Sequence, residues 1–107
     1  MTTIQIGGEK RPFKFGINAT IMFTKRTGRS MKDLDSLDQD DIEAIVEILH
    51  AGLCQGAQMA DKDIDFDATK VGLWMDDIDS NVITKAFESM VDQTNTGKKN
   101  VKKKTTA

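Results

Sequence analysis

The chain has one cysteine, one histidine, one tryptophan and no tyrosine in 107 residues, and each shortage closes off a class of function. The lone thiol, Cys54, can form no internal disulfide, which fits a reducing compartment. Neither Cys54 nor His50 has a second cysteine or histidine at metal-ligand spacing, so no metal site is expected. One tryptophan and no tyrosine leave no aromatic platform on which bases could stack. No apolar run exceeds four residues, against the ~18 that a membrane span requires. The first residues hold no signal-peptide apolar core, so the protein is expected to stay inside the cell, away from membranes. The scattered serines and Cys54 stand in no nucleophile signature, and the Gly7-Gly8 pair lacks the strand-to-helix setting of a phosphate loop. No catalytic or cofactor-binding residue is expected, and the chain reads as a binding protein rather than an enzyme.

What is present is charge, and it is unevenly distributed. Residues 1–34 carry seven bases against two acids, residues 35–95 three bases against fifteen acids, and residues 96–107 five lysines and no acid, for a net charge of −2. Blocks of alternating sign point to electrostatic contact with partners or between copies of the protein; a solvated acidic face with a solubilising tail is the plainer alternative. The lysines at 98, 99, 102, 103 and 104 could contact phosphates without reading sequence. The acidic body would repel a duplex, so nucleic acid is the disfavoured partner.

Hydropathy predicts a mainly α fold: four to five helices, a short N-terminal β-hairpin and a disordered C-terminal tail, with one domain over residues 1–95 and the tail over 96–107. Ile4 and Ile6, then Phe13 and Phe15, alternate with other residues around Gly7-Gly8, as a hairpin over residues 3–15 requires. Asn18 and Gly28 are expected to cap a helix over 19–27, with an apolar side at Ile17, Ile21 and Met22. A turn with Met31, Leu34 and Leu37 follows. Beyond Asp38, the residues Ile42, Ile45, Val46, Leu49 and Leu53 recur at helical spacing, with Ile48 and Cys54 widening the stripe and His50 at its boundary. Gly52 and Gly56 stand four apart, as at a close contact or a helix end. Asp67 is expected to cap a helix through Val71, Leu73, Trp74, Met75 and Ile78, and Ser80 a last one lined by Val82, Ile83, Ala86, Phe87, Met90 and Val91.

Asp61, Asp63, Asp65 and Asp67 alternate like the ligands of a calcium loop, but the sixth position is Phe66 where glycine is needed and the twelfth is Gly72 where a bidentate glutamate is needed. A solvated loop with Ile64 and Phe66 turned inward accounts for them better. Five internal methionines, at 22, 31, 59, 75 and 90, suit an adaptable apolar surface as well as a core.

The order of elements resembles something known. A hairpin ends in Phe13-Lys14-Phe15-Gly16; a helix over Ile17 to Thr27 is closed by Gly28; a short segment from Ser30 to Leu37 follows; an acid-capped helix ends in Leu49-His50-Ala51-Gly52-Leu53; a helix surrounds Leu73-Trp74-Met75; and an amphipathic helix precedes lysines. Over residues 3–94 this is similar to the tail assembly chaperones of long-tailed bacteriophages. The resemblance implies a non-enzymatic virion-assembly protein in the host cytoplasm, absent from the mature virion. It would bind the tape measure protein and help recruit tail tube protein, with a homo-oligomer as a further partner. It also implies a longer form made by ribosomal frameshifting, for which the lysine codons would supply the A-rich slippery run. The central and final helices would wall a client groove, with Leu49, Leu53, Trp74, Met75, Phe87 and Met90 as partner-binding residues. The alternative is a small nucleic-acid-associated regulator using the basic N-terminal third and tail; a tail tube or completion subunit would carry more strand.

Overall fold

The computed structural model describes residues 2–34, 36–38 and 40–94, with side chains as far as Ser89. The tail expected over 96–107 lies outside the described residues, as does the side chain of Met90. Strands β1 (Thr2–Ile6) and β2 (Glu9–Phe13) form an antiparallel hairpin, followed by helices α1 (Ile17–Thr27), α2 (Met31–Leu34), α3 (Ile42–Met59), α4 (Ala68–Trp74) and α5 (Ser80–Thr94), with a single 3₁₀ turn at Met75–Asp77 after α4. The mainly α fold with an N-terminal hairpin is therefore present as expected. Among the described residues no helix is long and apolar enough to cross a membrane.

The hairpin turns at Gly7 and Gly8, whose φ angles of 65° and 85° favour glycine at both positions. Positive φ at both central residues is the type I′ turn that matches the twist of paired strands. It sets the register Ile6↔Glu9, Ile4↔Arg11 and Thr2↔Phe13. Ile4 and Ile6 therefore share the inner face, and both are buried.

Helix α3 is the centre of the molecule. Asp41 caps it through its side chain, which accepts from the Ala44 N–H. From Ile48 to Ala57 nearly every residue is buried, because the helix is covered by β2 on one side and α1 on another. Gly52 and Gly56 are where β2 crosses α3: a Cβ at Gly52 would sit inside the Phe13 ring, and one at Gly56 inside the Pro12 carbonyl. The Lys14 N–H donates to the Gly52 carbonyl across this contact at 3.0 Å. The glycine pair is thus a strand-on-helix crossing rather than a helix–helix one.

Several cap and face assignments shift. Helix α1 has the bounds given by the resemblance, Ile17–Thr27, and so starts two residues before the start that an Asn18 cap would set, with Gly16 as its cap residue. Asn18 does not cap it. The free N–H groups of Gly16 and Ala19 both donate to Gln55 Oε1 at 2.9 Å, so α3 caps α1 from the side. The buried residues of α1 are Ala19 and Phe23, while Ile17 and Ile21 are exposed. Ile42 is exposed at the mouth of α3, and Ile64 points outward rather than inward. Gly28 closes α1 in the left-handed conformation with its N–H donating to Thr24, as the sequence predicts. At α5, Asp79 rather than Ser80 supplies the cap, accepting from the Asn81 N–H at 2.9 Å.

Candidate functional site

A groove of about 640 Å³ opens among the described residues where three segments meet: β1 with the Gly7-Gly8 turn, the stretch from Leu73 to Asp79, and α5 as far as Glu88. The strand contributes backbone as well as side chains. In this register the N–H and C=O groups of Ile4 and Ile6 face β2, so those of Thr3 and Gln5 face away from it. Gln5 lines the groove, and the free edge of β1 therefore opens onto it.

Trp74 forms the fixed part of the apolar wall. Its indole lies so close to Gly7 that a Cβ there would overlap the ring. Above the ring sits the Arg11 guanidinium, 4.4 Å from the centroid. Arg11 is itself fixed by donating from Nε to the Ile6 carbonyl at 3.0 Å and by ion pairs to Glu9 at 3.1 Å and Asp65 at 3.3 Å. Phe66 stands 5.9 Å from the indole in a tilted pair. Such cation–π and aromatic contacts add about 0.5–1.5 kcal/mol each beyond the area they bury. Leu73, 64% exposed, and half-buried Ile78 continue the apolar surface, and Asp77, Asp79 and Glu88 stand around it with Lys85.

The residues expected at a partner surface divide three ways. Trp74 lines the groove. Met75 is partly buried against the core rather than on the groove wall. Leu49, Leu53 and Phe87 are 0%, 1% and 8% exposed and belong to the core, so α3 is not a groove wall. Their helical spacing was real, but it records packing under the hairpin. Met90 lies outside the described side chains. Leu73, Ile78 and the β1 edge were missed as a site. The exposure of Leu73 is invisible to periodicity, and a strand edge becomes a feature only once the hairpin is placed.

His50 is buried rather than at a boundary. Its Nε2 lies 3.5 Å from Cys54 Sγ one turn on, its ring meets Phe66 edge-on at 6.2 Å, and Nδ1 has no partner among the described residues. Burial, with Arg26 nearby, lowers the pKa of the imidazole, and burial raises that of the Cys54 thiol. Both groups are therefore held neutral, which is the opposite of what a nucleophilic pair needs. The loop aspartates Asp61, Asp63, Asp65 and Asp67 are exposed; Asp67 caps α4 by accepting from the Lys70 N–H at 2.8 Å. Among the described residues no group of three acidic, histidine or cysteine side chains is placed to hold a metal ion.

The groove, with its apolar wall and carboxylate rim, is the candidate site. Comparison with known proteins finds no matching family, no matching curated protein and no matching solved structure. Chemistry alone thus identifies what the groove could take. It offers unpaired strand backbone, an aromatic wall and acidic groups among the described residues.

Proposed function

We propose that this protein is a tail assembly chaperone of a long-tailed bacteriophage, which works without catalysis by holding the tape measure protein in soluble form and helping to recruit tail tube subunits. The element order described above supports the reading, and one observation carries it: an open groove whose apolar wall, with Leu73 exposed and Trp74 and Ile78 partly buried beside it, is not closed over by the described residues. A chaperone has to shield apolar side chains of a client and release them later, so it needs such a surface and no reactive group. An amphipathic client helix laid against such a wall would present anchor residues at i, i+3 and i+4.

Co-expression tests this. On this reading a long helical protein is encoded beside this gene, and it is expected to be insoluble alone and soluble with the chain. A Leu73→Asp/Ile78→Asp variant, altered at exposed and half-exposed positions, is expected to lose that effect while remaining folded. If the variant solubilises the client as well as the parent does, the groove is not the client site. If the chain has no such client and instead binds DNA or RNA in a salt-dependent way, the regulatory reading replaces this one.

A further inference from the structure

The groove combines two demands that few ligands meet together. Asp77, Asp79 and Glu88 line it together with one cation, Lys85, and none of the three carboxylates joins an ion pair among the described residues. Beside them lies the apolar surface of Leu73, Trp74 and Ile78. An occupant must bring cationic heads and aliphatic surface at once. Lysine does so in one side chain, because its four methylenes lie along apolar surface while the ammonium reaches out to a carboxylate.

This chain carries lysines at 98, 99, 102, 103 and 104, shortly after α5. A helix rises about 1.5 Å per residue, so Thr94 stands roughly 9 Å beyond Glu88 and 22 Å beyond Asp79. An extended chain covers about 3.3 Å or slightly more per residue. Lys98 can thus reach about 13 Å from Thr94, and Lys102 to Lys104 about 26–33 Å, by the same rise. Turned back along α5, the first pair of lysines comes level with Glu88 and the second group with Asp77 and Asp79, with a few ångströms to spare for the reversal.

We propose that the Lys98–Lys104 segment occupies this groove, held by its three carboxylates with the lysine stems covering Trp74 and its apolar neighbours. Tethering makes the contact feasible without high affinity. A short linker gives an effective concentration on the order of 1 mM, so a dissociation constant near 0.1 mM for the free segment suffices for about nine-tenths occupancy. The contact belongs to the chain alone and is measured without a client, and a client seated in the same groove would have to displace it.

Trp74 is the only tryptophan and lines the groove, so its fluorescence reports occupancy. Acrylamide quenching is measured at low salt on the full chain, on a full chain with the five tail lysines changed to glutamine, and on a full chain bearing Asp77→Asn, Asp79→Asn and Glu88→Gln. Asparagine at position 79 preserves the cap, and all altered positions of the body are exposed. The parent is expected to be quenched less steeply than either variant, and its protection to be lost in 0.5 M NaCl, where the Debye length falls to about 4 Å. Equal quenching of parent and lysine variant at low salt overturns the proposal. Protection that survives the carboxylate substitutions also overturns it, because the tail would then be covering Trp74 from elsewhere.

Discussion

His50 shows how much a single side chain can impose on stability. In the folded chain burial holds its pKa below the value of about 6.5 that it has when unfolded. The unfolded chain therefore binds the proton first as pH falls. By linkage, the neutral buried imidazole contributes stability that is fully present above about pH 6.5, and that is lost as pH drops toward the lower folded pKa. Nδ1 adds a separate cost, since a buried polar atom without a partner forfeits about 1–3 kcal/mol of solvation. Replacing His50 by leucine removes both effects and keeps an apolar group of similar length against Phe66. The variant is expected to gain about 1 kcal/mol at pH 7. Its urea midpoint should also fall less between pH 7 and pH 5.5 than that of the parent. An unchanged pH dependence would show that the ring reaches solvent or finds a partner.

At the scale of elements, glycines that look alike in sequence behave in opposite ways. Gly56 in α3 has the Pro12 carbonyl where its Cβ would be, whereas Gly72 in α4 has nothing within 4 Å. Gly56→Ala must push β2 off α3 and is expected to cost about 2 kcal/mol or more. Gly72→Ala meets no obstacle and removes backbone freedom from the unfolded chain, for an expected gain of about 0.5–1 kcal/mol. Urea denaturation of the two variants checks both signs. The same contrast explains what could be read in advance. Local chemistry was legible: the Gly7-Gly8 turn, the Gly28 and Asp67 caps and the apolar stripe of α3 follow from neighbours a few residues away, whereas α3 runs on to Met59, six residues past the end expected at Leu53. Nonlocal substitutes were not. Gln55 caps α1 across 39 residues, which displaced Asn18, and Ile17, Ile21 and Ile42 are exposed because the hairpin and α1 take up the surface of α3 and leave those positions none. The groove was illegible for the same reason: its walls come from three segments that meet only in the fold.

For the whole molecule, the charge blocks turn partly inward. Among the described residues, three of the four ion pairs join the basic N-terminal third to the acidic middle: Arg11 to Asp65, Arg26 to Glu47 and Arg29 to Asp41, at 3.3, 2.7 and 2.6 Å. Arg26 is the strongest case in geometry, since its Nε and Nη2 meet both carboxylate oxygens of Glu47, a bidentate arrangement that favours the pair. Arg29 adds to the cap of α3 by lowering the pKa of the Asp41 carboxyl, through its own hydrogen bond first and the Ala44 N–H second. The pairs are partly solvated, so each contributes little by itself, but together they tie α1 and β2 to the acidic segments that follow. Raising NaCl from 0.05 to 0.5 M is therefore expected to lower the unfolding free energy by about 1–2 kcal/mol. A chain with Arg26→Gln and Arg29→Gln should begin lower and lose most of that salt dependence, as followed by urea melts at each ionic strength. Equal salt dependence in both chains would mean that attraction between the blocks is diffuse and that these contacts do not carry it. Carboxylates outside the pairs, with Asp77, Asp79 and Glu88 foremost, are those left to meet a cation brought by the tail or by a partner.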